Sequence, residues 1–125
     1  MIQDKDYIMR MVHEAVRMLI RLIFGKDIDN EEKDLVSLEK LKLYKKLTAM
    51  IDDGEINEAE NLLLDGLDPD DRDYFEMALL FYEKLGAKTE EFLLEHDYTQ
   101  DEVIDGLKYI VDYYGHGELW DIISK

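Results

Sequence analysis

His13, His96 and His116 are the three imidazoles of the sequence, and their spacing limits the chemistry open to it. None stands in His-x-x-x-His or Glu-x-x-His spacing, which would place two metal ligands on one helix face. His96 sits between Glu95 and Asp97, but adjacent residues on a helix point apart, so the trio is not a ligand set. All three histidines read as structural or surface residues. An EF-hand calcium loop needs oxygen ligands at positions one, three and five and glycine at six. A loop starting at Asp68 has Arg72 at position five and Asp73 at six, and one starting at Asp52 has Gly54 at position three. Neither fits, and the acids of "DPDDRD" suit a helix N-terminus, where the dipole favours negative charge. Gly-x-x-x-x-Gly-Lys is absent, and neither Ser37 nor Ser124 lies in Gly-x-Ser-x-Gly. The sequence therefore nominates no catalytic residue, no cofactor and no metal site, and the expectation is a protein that is not an enzyme.

Charge narrows the partners. There are 31 acids against 15 bases, a net charge of -16. A surface this acidic repels phosphate backbones, so no nucleic-acid partner is expected. The charge is uneven: residues 1–26 hold Lys5, Arg10, Arg17, Arg21 and Lys26 against Asp4, Asp6 and Glu14. No cysteine occurs, which removes disulfides and thiolate sites and fits a reducing cytoplasm. The start "MIQDKD" does not read as a signal peptide, and no run approaches the length of a membrane span.

The elements that would position any surface are helices. With 46% hydrophobic and 37% charged residues over 125 positions, one all-α domain spanning 1–125 is expected. Residues 1–26 form an amphipathic N-terminal helix, about Asp4 to Phe24, with Gly25 as its C-terminal cap. Residues 30–125 form helical hairpins. Asp29 with Glu32 caps a helix that continues to about Asp52, broken near Ser37; Gly54 ends it. Asn57, Asp68 before Pro69, Thr89 and Thr99 are the next expected caps, and Gly86, Gly115 and Gly117 the stops. No segment shows sustained period-two alternation.

Gly54, Gly86 and Gly117 lie 32 and 31 positions apart. "IDDGEINEAENLLLDGLDPDD" places Gly54 at a turn, Ala59 and Gly66 at small positions of the following helix, and Pro69 as a stop. This stretch, with residues 38–71 around it, resembles a tetratricopeptide repeat. The next unit departs from the pattern, with Glu91 where the first has Ala59. The fold class is thus all-α, either stacked antiparallel hairpins of tetratricopeptide-like form or an irregular bundle. The opening "MIQDKDYIMRMVHEAVRMLIRLIFGK" resembles the start of an uncharacterised family of small Firmicute proteins, a domain of unknown function. That resemblance implies a bacterial cytoplasmic protein and assigns no site residue.

Two surfaces stand out. On the first helix Ile8, Val12, Ala15, Val16, Leu19, Leu22 and Ile23 form one apolar stripe. Tyr7, Met11 and Met18 flank it on one side and Met9 and Ile20 on the other, widening the arc beyond what one docking face needs. Either Tyr7, Met9, Met11, Met18 and Ile20 meet a second partner, such as another copy in a homodimer, or this helix is central and wrapped on both sides. Near the other end, Tyr109, Tyr113 and Trp120 could pack the C-terminal hairpin or line a peptide groove. The expected role is a non-catalytic protein–protein interaction or scaffold module of unknown partner. The alternative is a peripheral membrane protein docking through the basic first helix, which requires Arg10, Arg17 and Arg21 to border an exposed apolar face.

Overall fold

The computed structural model describes residues 2–27 and 38–123, with side chains from residues 7–27 and 39–123. Among the described residues seven helices follow in order: α1 Ile2–Phe24, α2 Leu38–Asp52, α3 Ile56–Asp65, α4 Arg72–Gly86, α5 Glu90–Glu95, α6 Gln100–Tyr113 and α7 Gly117–Ile123. No strand occurs among the described residues, so the all-α expectation holds. The expected start of the second helix, at Asp29 and Glu32, lies outside the described residues.

The central helix is α4, not α1. From Tyr74 to Gly86 every residue of α4 except Lys84 is buried. Its neighbours are α1, α2 and α6, while α3 folds back on α2 and α7 on α6. A helix apolar on most of its circumference must be covered on most of it, and "YFEMALLFYEKL" is such a sequence. Tyr74, Phe75, Phe81 and Tyr82 all enter the core, as their types suggest. α1 covers one side of α4 and also touches α7.

Local chemistry explains where the helices start. Thr89 and Thr99 cap α5 and α6 as expected, accepting from the amides of Phe92 and Glu102 at 3.1 Å each. Two expected caps move. Asp68 instead closes a turn, accepting from the Asp70 amide at 3.0 Å, and Asp71 caps α4 by accepting from Tyr74. Asn57 lies inside α3, whose N-cap is Glu55 without a side-chain bond. The amides of Gly54 and Glu55 bond back to Ile51 and Met50, so the chain turns tightly and re-enters a helix at once. The Asn57 side chain donates instead to the Asp97 carbonyl, tying α3 to the turn before α6.

Gly86 also differs from expectation. It does not stop α4 but is its last residue, and a Cβ there would lie 2.7 Å from Val12 Cγ1. Its role is to let α1 approach α4 closely. Gly117 likewise begins α7, and Gly115, with φ 83, makes the turn before it. At Gly54 both constraints coincide: φ is 87, and a Cβ would lie 2.3 Å from the His96 ring. Gly54→Ala should destabilise the protein by about 2 kcal/mol, from the left-handed backbone plus displacement of His96. Thermal or urea denaturation checks this; a loss below about 0.5 kcal/mol would mean the turn relaxes freely.

Candidate interaction face

Among the residues of α1 whose side chains are described, Val12, Ala15, Val16, Leu19 and Ile20 are buried. Two expectations are corrected here. Ile20 is 1% exposed and belongs to the core, so it cannot join an interface. Leu22, placed by its period in the core stripe, is 55% exposed. The physical reason is a rotation of the covered stripe toward Ile20. At about 100° per residue, Ile20 lies about 70° from the stripe's centre and Leu22 about 90° away on the other side.

What remains outward is a ridge. Tyr7 is 60% exposed, Met18 46% and Leu22 55%, with half-buried Met11 between them. These four lie within about 60° on the helix wheel. Met9, the other expected contact, is half-buried and lies toward α4, lining a depression with Arg10, His13, Glu83 and Ala87. Beside the ridge runs a polar stripe of Arg10, Glu14, Arg17 and Arg21, all exposed. Shallow depressions mark the border: Tyr7, Arg10, Met11 and Glu14 line one, and Glu14, Arg17, Met18 and Arg21 another. Arg21 is held by Asp27, donating from Nε at 3.0 Å and from Nη2 at 2.7 Å. The far end of α1 is clamped by Arg72, which donates to the Ile23 carbonyl and lies 4.7 Å over the Phe24 ring.

The C-terminal aromatic set does not form one groove. Trp120 is 6% exposed and packs into the core. A large ring on a short last helix serves α7 best as the anchor that holds it to α6 and α1. Tyr109 is 52% exposed and its ring lies 6.4 Å from that of Tyr113. Tyr113 in turn meets Tyr114 edge-on at 5.1 Å. The pair covers a helix surface without a tryptophan wall.

Acids inside the fold were not legible as such. Glu76 is 2% exposed, with Lys26 Nζ 2.6 Å from its Oε2. Glu83 pairs with His13 Nδ1 across the α1–α4 contact. Both stand on α4 seven residues apart, hence on one face. Glu60 Oε2 accepts from the Tyr82 hydroxyl at 2.6 Å and the Tyr98 hydroxyl at 3.0 Å. These carboxylates face Lys26, His13 and two phenols across the packed elements, and each pairing gives a partner to a polar group that burial removes from water. Of the remaining histidines, His96 Nδ1 lies 2.7 Å from the Phe92 carbonyl and His116 stacks on Phe75 at 5.7 Å. No group of three His, Asp or Glu side chains is placed to hold a metal ion among the described residues. No described helix is long and apolar enough to cross a membrane.

The sequence model of a family of unknown function, DUF6483, matches residues 1–115. No curated protein and no solved structure matches the chain.

Proposed function

The chain belongs to that family of unknown function, and from this premise we propose that the protein is a non-catalytic interaction module that docks a partner on the outer face of α1. The observation that carries this reading is the ridge of Tyr7, Met11, Met18 and Leu22, apolar and outward beside three arginines. Single exposed apolar residues are ordinary, whereas a contiguous row with a polar border is the form of a docking surface. The order of packing, α2 beside α4 beside α6 with α3 and α7 folded back, is compatible with the tetratricopeptide-like stack expected of a partner-binding scaffold. A bacterial cytoplasmic setting is part of the same reading, resting on the N-terminal resemblance and the lack of cysteine.

A second reading has its own observation. Arg10, Arg17 and Arg21 do border an exposed apolar row, as docking on an anionic membrane requires. Against it stand Glu14 within the stripe and the net charge of -16, which opposes approach to anionic headgroups. One experiment separates the two. A photo-crosslinking amino acid at Met18 should capture a protein in cells, while the same group at Leu62 on α3 should not. Capture at neither position, together with flotation of the purified protein on anionic vesicles, would replace the interaction module with the membrane reading.

A further inference from the structure

We infer that Met11 and Met18 form an oxidation site: a peroxide converts both thioethers to sulfoxides and makes the outer face of α1 polar while the fold stays intact. On the proposed docking role this modification releases the partner; the site itself does not depend on that role. The distribution of sulfur points here. The chain has six methionines and no cysteine, so no thiol competes for an oxidant. Among the methionines with described side chains, Met77 is 0% exposed and Met50 packs against the core. Met9 is half-buried toward α4, in a depression that Glu83 also lines. Met18 is 46% exposed and Met11 half-buried, and both stand at the centre of the outward ridge.

The reaction is an oxygen transfer. The thioether sulfur gives an electron pair to one peroxide oxygen, and an S–O bond forms as the O–O bond breaks. The transferred oxygen gives up its proton and the other leaves as water. Sulfur is oxidised by two electrons and the peroxide is reduced by two. The surroundings favour the product. Met18 shares its depression with Arg17 and Arg21, and Met11 shares another with Arg10. A sulfoxide oxygen is a hydrogen-bond acceptor, and guanidinium groups supply several donors each. Glu14 lines both depressions as well, one acid against three arginines. Arg21 is engaged with Asp27 through Nε and Nη2, while Arg10 and Arg17 stand exposed. Oxidation at the two central positions splits the ridge. Tyr7 and Leu22, about 22 Å apart along the axis, are then single exposed apolar residues of the ordinary kind. The added oxygens meet solvent and arginines instead of the core, so the packing of α1 on α4 is undisturbed.

Dilute hydrogen peroxide on the purified full chain, followed over time by peptide mass mapping, tests the site. Met18 and Met11 should each gain one oxygen about tenfold faster than Met77, with helical circular dichroism unchanged. The oxidised protein should elute earlier from a hydrophobic-interaction column. Methionine sulfoxide reductases for the two sulfoxide epimers should reverse that shift. Met11→Leu with Met18→Leu keeps the ridge apolar and removes its sulfur, so peroxide should leave this variant's elution unchanged. Oxidation of Met77 in step with Met18, or loss of helicity in step with oxygen uptake, would show that the oxidant acts on an opened core and overturn the inference. An equal elution shift in the double-leucine variant would overturn it too. The effect on docking is read separately, with a photo-crosslinking group at Leu22 in cells given peroxide. Capture should fall about tenfold when both methionines are present and hold when both are leucine. Equal capture in the two would remove oxidation as a control of a docking face that stands. No capture before peroxide would overturn the docking role, with the mass map still deciding the site.

Discussion

Above pH 10 the protein is expected to lose stability at about 4 kcal/mol per pH unit and to unfold cooperatively before pH 12. The groups responsible are buried phenols. Burial, then the Glu60 carboxylate beside them, pushes the ionisation of Tyr82 and Tyr98 far above the ordinary tyrosine range. Burial likewise pushes Tyr74 up to about 12. Below pH 10 these phenols are neutral in both folded and unfolded chains, so their contribution to stability is fully present. Between pH 10 and 12 the unfolded chain releases their protons and the folded chain does not, so unfolding is favoured by about 1.4 kcal/mol per unit for each phenol. Three such phenols against a total stability of about 5–15 kcal/mol leave little reserve. Phenolate absorbance and helical circular dichroism followed together against pH should show one coincident transition. All eight tyrosines titrating smoothly with helicity intact would contradict the burial of these three.

The pattern of what could be read in advance has a physical basis. Helix starts set by a threonine cap were legible, because Thr89 and Thr99 act on amides three residues away. The start at Asp68 and Pro69 was not, because Asp68 is drawn into a turn by its own neighbours and Asp71 is free to cap. Asn57 failed as a cap because the tight turn at Gly54 and Glu55 starts the helix two residues earlier, leaving Asn57 inside α3, where its side-chain amide donates to the Asp97 carbonyl. Periodicity on α1 located the ridge but not its edge. A wheel gives angles, and only the packing against α4 and α7 decides that Ile20 is covered and Leu22 is not. The buried acids of α4 carried no signal, since Glu76 and Glu83 look like the polar face of any amphipathic helix until Lys26 and His13 are placed opposite them. The central place of α4 was written in its near-continuous apolar run, which the wide arc of α1 partly obscured.

Glu60→Ala is expected to cost about 3 kcal/mol, more than most substitutions of a half-exposed side chain. One carboxylate oxygen of Glu60 joins three segments: α3, which bears it, α4 through Tyr82, and the turn before α6 through Tyr98. The two tyrosines are 0% and 1% exposed, so their hydroxyls cannot turn to bulk water when the acceptor is removed. A buried donor left unsatisfied costs about 1–3 kcal/mol. Tyr98 retains a partial alternative in the Glu102 carbonyl at 3.3 Å, so the larger share of the loss falls on Tyr82. Tyr82 has no room to move aside, because its ring lies against Gly106, where a Cβ would approach to 2.5 Å. Glu60→Gln keeps a carbonyl acceptor at the same reach and should cost only about 1 kcal/mol. Comparing Ala with Gln therefore separates the hydrogen bonds from the loss of aliphatic packing, which both substitutions disturb to different degrees. The decisive measurement is a double-mutant cycle by urea denaturation with Tyr82→Phe. If the hydroxyl and the carboxylate stabilise one another, Glu60→Ala in the Tyr82→Phe background should be milder than in the wild type by about 1–2 kcal/mol. Additive losses would show that Glu60 supports the fold through its stem alone and that the three segments are held together by the surrounding core.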